Sequence, residues 1–496
     1  MSADTSFDPR TGASAASVVH TTLDALDAAV ARSVDAADVA ARTSPADRRV
    51  WLRAAADALE ENLEELARLA DWETALGRAR LDGEVVRTAN QIRFYADVAV
   101  EGSYLGAVRD EGTPFIARVN VPLGPVAVFG ASNFPFAFSA FGNDTASAIA
   151  AGCSVVVKAH PAHPMLSQRV LEVTQEAMTL AGAPVGLIEM VHGFDAGRAL
   201  VQHPQVTALA FTGSQDGGMS LWRAANERQT PIPVFAEMGT VNPVVVTPAA
   251  AADAAGIAAG FVGSFTLGAG QFCTKPGLLL APRGADLPRL VGDALHAAAP
   301  EAFMLTRGIA DAVVAGVAEL QDAGATVVVQ TPHAGRGWSA PATLLTAPLS
   351  LLREGNRLLE ECFGPVAVVV EYDDLDEALR AVDALQGALA GSIMIGEDDP
   401  DAAAVLDRLQ RKVGRVIVDD WPTGVAFTWA QQHGGPWPST SNPATTSVGA
   451  AALDRFVRPV ALQGLPDALL PPALQSANPW NLPRRIDGVL RLPEES

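Results

Sequence analysis

The sequence contains little cysteine, little positive charge and few aromatic side chains. Only three of its 496 residues are cysteine. This number is small and odd, so a disulfide framework is not expected, and a reducing cytoplasm is favoured. Lysine and arginine number 35 against 56 aspartate and glutamate, so the formal net charge is −21. A surface of this sign repels phosphate backbones and anionic lipids. Neither nucleic acid nor a membrane is therefore expected as a partner.

The chain also lacks a recognisable targeting segment. The first twenty residues have neither the basic start nor the apolar run of a secretory signal, and we expect a flexible N-terminus. The most membrane-like stretch, 243–265, is interrupted by proline, aspartate and glycine, which favours a strand followed by a buried helix over a bilayer span. With 49% hydrophobic and 18% charged residues, the composition indicates a soluble globular protein of two or more domains.

Hydrophobic periodicity predicts an α/β protein with two doubly wound, Rossmann-like domains. Apolar residues recur at helical spacing from about residue 44 to 102, and residues 103–122 alternate around an Asp-Glu-Gly turn as a β-hairpin does. Short β-branched runs then alternate with helical segments, which is the rhythm of right-handed βαβ units and parallel sheets. The predicted strands are VAVFG, SVVVKA, LIEMVH, ALAFTG and PVFAEM in the first series, and PVVVTP, GLLLAP, ATVVVQ, AVVVEY, SIMIG and RVIVDD in the second.

One cysteine stands out by its neighbours. Cys273, in SFTLGAGQFCTKPG, is flanked by glycine and proline at the end of a predicted element, where a helix N-terminus or backbone amides would lower a thiol pKa and allow nucleophilic attack. Cys153 and Cys362 are interpreted as structural. No histidine has an evident role as its base, so a Cys-His hydrolase lacks support, and no Cys or His pair has zinc-site spacing, so no metal is expected. The histidines considered lie in loops around the first sheet: His160, His163, His192 and His203.

Five motifs carry a resemblance to the aldehyde dehydrogenase superfamily, in the same order and at similar separations. The KAHPAHP segment and the end of the chain, which starts HGGPWPST, resemble a narrower branch, the 2-oxoglutarate semialdehyde (2,5-dioxopentanoate) dehydrogenases. The long-chain fatty aldehyde dehydrogenases that use NADP share features with this branch. The five motifs are FGASNFPFAFSAFGNDTASAIAAGCSVVVKAHPAHP, FTGSQDGG, FAEMGTVNPVVV, GQFCTKPG and EECFGPV.

The resemblance implies three catalytic residues. Cys273 would add to the aldehyde carbon and form a thiohemiacetal that loses a hydride and becomes a thioester. The amide of Asn133 and the Cys273 backbone N–H would stabilise the oxyanion. Glu237 would activate water against the thioester, for which we expect burial to raise its pKa toward neutrality.

The resemblance also implies a site for NAD or NADP. Gly213, Ser214 and Gly218 follow a predicted strand and open a helix, an arrangement that binds a diphosphate. Lys158 would bind a ribose, and Glu361 and Phe363 would lie at the nicotinamide ribose and ring. Many NAD-preferring relatives carry a glutamate three residues after the lysine, where this chain has Pro161. Since that carboxylate repels a 2′-phosphate, we expect either cofactor to bind, with NADP at least competitive with NAD.

The implied reaction is metal-free oxidation of an aldehyde to a carboxylic acid, with 2-oxoglutarate semialdehyde as the favoured substrate. Arg455 and Arg458, in the distinctive tail, are candidates for its carboxylate. A medium- or long-chain aliphatic aldehyde is the alternative substrate, and a cofactor-free thiol hydrolase or acyltransferase is the alternative of another class. The aliphatic alternative depends on an aromatic run: Phe134, Phe136, Phe138 and Phe141.

Combined with the resemblance, the pattern divides the chain into five parts. The hairpin and the tail imply a homodimer or homotetramer, because such a hairpin builds subunit interfaces in this superfamily. The parts are the N-terminal helical part of the cofactor-binding domain (1–102), an oligomerisation hairpin (103–122), the NAD(P)-binding domain (123–236), the catalytic domain (237–430) and an irregular C-terminal tail (431–496) that packs on the cofactor or oligomer side.

Overall fold

The structure, a computed structural model, describes residues 2–493 and contains four sheets. Met1 and residues 494–496, the end of the predicted tail, lie outside the described residues. The chain begins with an antiparallel hairpin of β1 (Ala3–Phe7) and β2 (Ser14–Val19). The expectation of a flexible start is therefore wrong. Asp8 explains the hairpin, because its carboxylate accepts hydrogen bonds from the Arg10 backbone N–H and the Thr11 hydroxyl in the connecting turn.

A layer of helices follows the hairpin and covers the stretch in which the spacing predicts helices. Ser44 accepts a hydrogen bond from the Asp47 backbone N–H and Pro45 occupies the first turn, which together start the second helix. Gly102, with φ of 80°, ends the fourth. The four helices are α1 (Leu23–Ala40), α2 (Pro45–Glu61), α3 (Leu63–Thr74) and α4 (Arg78–Glu101).

The first large sheet is parallel throughout and has five strands in the order β7-β6-β5-β8-β9. The order reverses between β6 and β8, on either side of β5, and such a switch point opens a crevice at the carboxyl ends of the strands. The strands are β5 (Val126–Phe129), β6 (Val155–Lys158), β7 (Ile188–Val191), β8 (Ala208–Gly213) and β9 (Val234–Met238). The helices between them are α5 (Asn143–Ala151), α6 (Pro164–Leu180), α7 (Phe194–Gln202) and α8 (Gln215–Asn226).

The second large sheet has seven strands in the order β12-β13-β14-β11-β10-β15-β16, parallel except for the β12-β13 pair. The prediction of two α/β domains is confirmed, although the short strand β13 was not predicted. The strands are β10 (Asn242–Val246), β11 (Pro276–Pro282), β12 (Thr326–Gln330), β13 (Thr343–Thr346), β14 (Val366–Tyr372), β15 (Ala388–Met394) and β16 (Val413–Val418). The helices are α9 (Ala254–Thr266), α10 (Leu287–Ala298), α11 (Arg307–Asp322), α12 (Leu375–Ala384) and α13 (Ala402–Leu409).

The tail is less irregular than its composition predicts. Its strand β17 pairs with β4 of the predicted hairpin, and β18 pairs with β3, which completes a five-stranded sheet in the order β17-β4-β3-β18-β19. Hydrophobic periodicity does not reveal these strands, because each is short, is bounded by proline-rich connections and pairs with a strand far away in the chain. The strands are β3 (Val108–Asp110), β4 (Ile116–Pro122), β17 (Val457–Gln463), β18 (Arg484–Ile486) and β19 (Val489–Arg491).

The membrane-like stretch of the sequence folds into β10 and α9, as predicted. By length and composition, one helical stretch among residues 2–493, Ala250–Gly270, is apolar enough to cross a membrane. Phe261 and Phe265 of α9 are fully buried against the seven-stranded sheet. A core helix of this kind meets the same compositional test as a membrane span.

Candidate active site

Cys273 lies in a turn between α9 and β11 that depends on glycine. Gly268 and Gly270 have φ values of 56° and 68°, in the left-handed region that glycine adopts without strain. A Cβ on Gly270 would lie 2.3 Å from the Gly364 carbonyl carbon, so two loops approach each other too closely here for any side chain. The turn leaves Cys273 half-buried, just before strand β11 begins at Pro276, at the amino ends of β10 and β11.

Two buried side chains from distant parts of the chain meet this thiol. Nε2 of His433 lies 3.8 Å from Sγ of Cys273 and 3.0 Å from Oε1 of Glu237, which ends strand β9. The Ser447 hydroxyl donates to the other carboxylate oxygen of Glu237. The His433 and Glu237 side chains are 1% and 4% exposed, so solvent screens their interaction little. We call Cys273, His433 and Glu237 the Cys–His–Glu cluster.

His433 is the functional residue that the sequence analysis missed. It lies 160 residues from Cys273, in the segment that was predicted to be an irregular tail. Its backbone N–H donates to the Thr446 hydroxyl at 2.8 Å, and its carbonyl accepts from the Ser447 backbone N–H at 2.8 Å. This local pairing holds the imidazole in place. The only sequence pattern that marks it is the His-Gly-Gly-Pro motif of the tail, to which no role was assigned.

The Cys–His–Glu cluster also bears on the question of a metal. Its sulfur, nitrogen and oxygen atoms lie within 4.8 Å of one another, and these are donor types that zinc sites use. The spacing argument against a metal therefore does not apply here, because folding brings together ligands that are far apart in the sequence.

Asn133 lies beside the cysteine, just past β5. Its amide Nδ2 donates to the Gln271 carbonyl at 2.9 Å. Asn242, which the sequence analysis did not single out, donates to the carbonyls of Cys273 and Lys275, each at 2.9 Å. The two amides fix the backbone on both sides of the thiol. The structure thus brings together all three residues with predicted catalytic roles.

The thiol is not activated by its local backbone. Burial raises the pKa of Cys273 well above its ordinary value, and the negative charges of Glu237 and Glu361 raise it further. No helix begins at Cys273, since the next element is strand β11, which starts at Pro276. The expectation of a helix N-terminus is wrong. The expected effect of a backbone amide is present, since the Cys273 backbone N–H lowers this pKa, but burial and the two carboxylates outweigh it. Deprotonation therefore requires a neighbouring base.

Glu237 also differs from expectation. Burial raises the pKa of Glu237, but His433, Ser447 and Arg455 together hold it below its ordinary value. The predicted rise toward neutrality is therefore wrong for this state of the protein. The physical reason is that the carboxylate is paired as well as buried, and pairing favours the charged form.

These charges lead to a prediction about thiol reactivity. Iodoacetamide reacts with the thiolate, so alkylation of Cys273 in the cofactor-free protein should be slow at neutral pH and should rise about tenfold per pH unit up to at least pH 9. Mass spectrometry of timed samples would measure the rate. Cys153 and Cys362, which are 0% and 8% exposed, serve as internal controls for local unfolding. A rate that becomes constant below about pH 8 would contradict the raised pKa.

A cleft of about 1350 Å³ reaches Cys273 from the switch point of the five-stranded sheet. Ligands of doubly wound folds bind at such switch points. Gly218 does not line the cleft, because it packs against Met238, whose sulfur would lie 2.5 Å from a Cβ at this position. The other residues with predicted cofactor roles all line it: Lys158, Gly213, Ser214, Glu361 and Phe363.

The cleft residues fit a nicotinamide dinucleotide. Ser214 caps α8 by accepting from the Gly217 backbone N–H at 3.2 Å, and both residues line the cleft at the helix N-terminus, where a diphosphate is favoured. Among the described residues, Oε1 of Glu361 is buried without a hydrogen-bond partner, and burial raises the pKa of Glu361 to about 7. A buried carboxyl group without a partner suits a ribose hydroxyl, which can donate to it.

The aromatic run contributes two of its four members to the site. Phe134 lies 5.1 Å from Phe272, the neighbour of Cys273, and Phe138 lies 6.3 Å from His433, measured between ring centroids. Phe136 and Phe141 instead are fully buried in the core of the N-terminal domain. The apolar wall expected at the substrate side is therefore smaller than the sequence suggests.

The two arginines proposed for a substrate carboxylate lie elsewhere. Arg455 forms a buried ion pair with Asp144 at 2.8 Å, so its charge already has a partner. Arg458 is exposed on strand β17. Neither placement supports the predicted role, because a position in a distinctive tail says nothing about where a side chain points.

Comparison with known proteins gives a consistent result. The Aldehyde dehydrogenase family matches residues 2–459. The chain is 46% identical over 476 residues to "Alpha-ketoglutaric semialdehyde dehydrogenase 2" of Azospirillum brasilense, with 92% of this chain and 89% of that protein covered. It is 38% identical over 484 residues to "Alpha-ketoglutaric semialdehyde dehydrogenase" of Acinetobacter baylyi, with 95% and 92% covered.

Solved structures share the fold at lower identity. A 3,6-anhydro-L-galactose dehydrogenase in complex with NAP is 22% identical with a TM-score of 0.81, and the match covers 93% of this chain and 96% of that one. An NAD+ complex of aldehyde dehydrogenase from Bacillus cereus is 22% identical with a TM-score of 0.80, and the match covers 93% of each chain.

Proposed function

The chain belongs to the aldehyde dehydrogenase family, and from that premise we propose that it oxidises 2-oxoglutarate semialdehyde to 2-oxoglutarate with NAD or NADP as the acceptor. The observation that carries the substrate assignment is the match, over most of both chains, to two relatives named for this semialdehyde. The position of the cleft agrees with the reaction, since it brings a cofactor to the same thiol that the Cys–His–Glu cluster surrounds.

The first step is attack of the Cys273 sulfur on the aldehyde carbon. Because the raised pKa keeps the thiol protonated at neutral pH, its proton must leave as the C–S bond forms. Nε2 of His433, at 3.8 Å, and the Glu237 carboxylate, with an oxygen within 4.8 Å of the sulfur, are both positioned to accept that proton. Nε2 of His433 lies 3.0 Å from Oε1 of Glu237, so the proton moves to a buried pair rather than to solvent.

The aldehyde oxygen becomes negatively charged as the thiohemiacetal forms. The Cys273 backbone N–H and one N–H of the Asn133 amide are the fixed donors beside it. The hydrogen bond from Asn133 to the Gln271 carbonyl uses only one of the two amide hydrogens, which leaves the other for the oxyanion. A nicotinamide cofactor held by Lys158, Ser214 and Glu361 would supply the acceptor for the hydride of the thiohemiacetal carbon, and Cys273 would keep the acyl group as a thioester.

Hydrolysis then releases the acid. Water adds to the thioester carbonyl, and the C–S bond breaks as the sulfur takes up the proton that the Glu237–His433 pair removes from the water. The proton taken from the thiol in the first step is the one that the overall oxidation releases. The Glu237 carboxylate, ionised because of its lowered pKa, and the His433 imidazole accept the proton of the attacking water. The Ser447 hydroxyl holds the carboxylate in position from its other oxygen.

For the cofactor, we propose that Lys158, Ser214 and the start of α8 bind the ribose and diphosphate, and that Glu361 binds the nicotinamide ribose with Phe363 beside the ring. Lys158 lies at the end of β6, only 6% exposed, with its ammonium group 4.8 Å from the ring centre of Phe194. Gly218 shapes this site indirectly, because its missing side chain lets α8 approach Met238.

We expect either cofactor to be used, with NADP at least competitive with NAD. Pro161 lines the cleft in place of a carboxylate, so this position does not repel a 2′-phosphate. Both basic residues, Arg198 and Arg223, and acidic residues, Asp195, Asp216 and Glu227, line the cleft as well. Steady-state kinetics with each cofactor would measure the preference. A preference for NAD above about a hundredfold would contradict this expectation. Pro161→Glu, which restores a carboxylate, should reduce kcat/KM for NADP about tenfold or more and change that for NAD little.

The proposed substrate is tested by following absorbance at 340 nm with a panel of aldehydes. We expect the highest kcat/KM for 2-oxoglutarate semialdehyde, with lower values for hexanal and decanal. Decanal as the best substrate would instead favour the aliphatic alternative, which Phe134 and Phe138 support. Ester hydrolysis without any NAD(P)H formation would favour the thiol hydrolase. Such an enzyme needs only Cys273 and His433 and has no use for the cofactor cleft.

We further propose a cytoplasmic homodimer or homotetramer assembled through the sheet of order β17-β4-β3-β18-β19. The sheet ends at strand β19, whose residues are all exposed, including Val489 and Leu490. An exposed apolar strand at a sheet edge is suited to association with another copy. The three free cysteines suit a reducing compartment. Light scattering after size-exclusion chromatography would give the mass of the assembly.

A further inference from the structure

Arg87 of α4 lies on the other side of the Phe138 ring from His433 of the Cys–His–Glu cluster. Its guanidinium carbon is 5.9 Å from the ring centres of both Phe138 and Phe427, and Phe138 contacts the His433 ring. Nη2 of Arg87 donates to the Val425 carbonyl at 2.9 Å. Among residues 2–493, its Nη1 is buried without a hydrogen-bond partner. Part of this guanidinium therefore lacks the hydrogen-bond acceptor that a buried N–H group normally has.

Arg415 of β16 is held in a similar way by the same loop. Its Nη1 and Nη2 donate to the carbonyls of Gly424 and Pro422 at 2.5 and 2.6 Å, and its Nε is buried without a partner in the described part of the chain. Burial lowers the pKa of Arg87 and of Arg415, and the negative charge of a Cys273 thiolate raises both. Both guanidinium groups thus lie within electrostatic reach of the reacting sulfur.

The guanidinium groups of Arg87 and Arg415 have no carboxylate as a hydrogen-bond partner in the described part of the chain. Glu84, between Arg80 and Arg87 on one face of α4, is the carboxylate that acts on both arginines. It accepts hydrogen bonds from the Phe136 and Ala137 backbone N–H groups, and burial raises its pKa. The hydrogen-bond partners of Arg87 and Arg415 are neutral carbonyls. Both guanidinium groups are half-buried, and their carboxylate neighbours, Glu84 for Arg87 and Asp420 for Arg415, act on them without forming a hydrogen bond in the described part of the chain. A ligand carboxylate would supply the charged hydrogen-bonding partner that each guanidinium lacks.

We propose that Arg87 and Arg415 bind the carboxylate of the substrate, at the end opposite the aldehyde. This inference rests on the proposed function, because it assigns a role toward an aldehyde that carries an acid group. The loop carbonyls of residues 422–425 already restrain both side chains, so little conformational freedom is lost on binding, and guanidinium groups suit planar carboxylates. The pair replaces Arg455 and Arg458 as the candidates for this role.

A purely structural role, in which the two arginines only brace the loop, makes a different prediction. Bracing affects every aldehyde alike, whereas carboxylate binding affects only acids. The comparison therefore uses 2-oxoglutarate semialdehyde and pentanal, which have the same number of carbon atoms and differ in charge. The variant Arg87→Gln keeps an amide donor for the Val425 carbonyl but removes the charge. Arg87→Lys restores the charge and should recover part of the lost affinity.

We expect Arg87→Gln and Arg415→Gln each to raise KM for the semialdehyde about 10- to 100-fold, with kcat changed less than about threefold, as loss of one charged hydrogen-bonding partner implies. For pentanal, kcat/KM should change less than about threefold in the same variants. The matched control is Arg228→Gln. Arg228 also donates only to carbonyls, those of Val201 and His203 at 2.9 Å among them, but belongs to the cofactor domain. Its loss should leave the ratio between the two aldehydes unchanged.

A second measurement separates this inference from the proposed function. The product 2-oxoglutarate should inhibit pentanal oxidation competitively, and Arg87→Gln should raise its inhibition constant about tenfold or more. Equal losses for both aldehydes, or an unchanged inhibition constant in a variant with a normal melting temperature, would overturn the carboxylate role. If the native enzyme oxidises pentanal but not the semialdehyde, the proposed function fails, while the inhibition result still decides the role of the arginines.

Discussion

Replacing Cys273 by alanine is expected to abolish aldehyde oxidation and to lower kcat/KM at least about 10⁴-fold. No other described thiol can replace it, since Cys153 is fully buried and Cys362 is 8% exposed with its backbone carbonyl held by Lys275. NAD(P)H formation at 340 nm would measure the loss. Cofactor binding should be retained, because the diphosphate and ribose residues lie elsewhere in the cleft.

The control for this experiment is Cys153→Ala. Cys153 lies in the core of the N-terminal domain, so its replacement should cost about 1 kcal/mol of stability and leave kcat/KM unchanged. Measurable steady-state oxidation by Cys273→Ala, in a preparation free of other dehydrogenases, would exclude a covalent mechanism through this sulfur.

The second large effect is expected for Glu237→Gln. The amide cannot accept the proton of the attacking water, so the thioester should form once and then accumulate, and steady-state turnover should fall about 10²- to 10⁴-fold. Rapid mixing should show a burst of about one NAD(P)H per active site, and intact-protein mass spectrometry should show the acyl group on Cys273. His433→Gln should act in the same direction with a smaller loss, because the carboxylate remains.

A separate measurement shows whether the Glu237→Gln site is intact. Removing this negative charge removes one cause of the raised pKa of Cys273, so iodoacetamide should alkylate the variant faster than the native enzyme between about pH 7 and 8. Slow steady-state turnover together with faster alkylation identifies a deacylation defect. Full turnover without a burst would contradict the role of Glu237 in hydrolysis.

Much of the fold follows from local sequence patterns. The β-branched runs VAVFG and SVVVKA become the central strands β5 and β6 because each is apolar on both faces and flanked by helical segments. Strand β13 escaped prediction because its four residues, TLLT, carry too short a pattern. The hairpin of β1 and β2 escaped because its first strand owes its stability to burial against helices that come later in the chain, and not to an apolar run.

The site was predictable where a residue lies next to a recognisable local feature. Cys273 could be found from the glycines that its turn requires, and Glu237 and Asn133 from the strand ends at which they lie. The directions of the Cys273 and Glu237 pKa shifts could not be found in this way. Each depends on charges that arrive from other elements, such as His433 from the tail and Glu361 from the loop before β14.

By itself the sequence determined the two α/β domains, the family and the cofactor class, and it singled out Cys273 as the candidate nucleophile, because all of these depend on short stretches with characteristic periodicity or motifs. Only the tertiary structure decided that His433 lies beside both Cys273 and Glu237, that Arg455 is already paired with Asp144, and that Arg87 and Arg415 each keep a guanidinium nitrogen without a partner among the described residues. Hydrogen bonds and charge interactions act over a few ångströms. Which side chains come that close is set by packing between residues hundreds of positions apart.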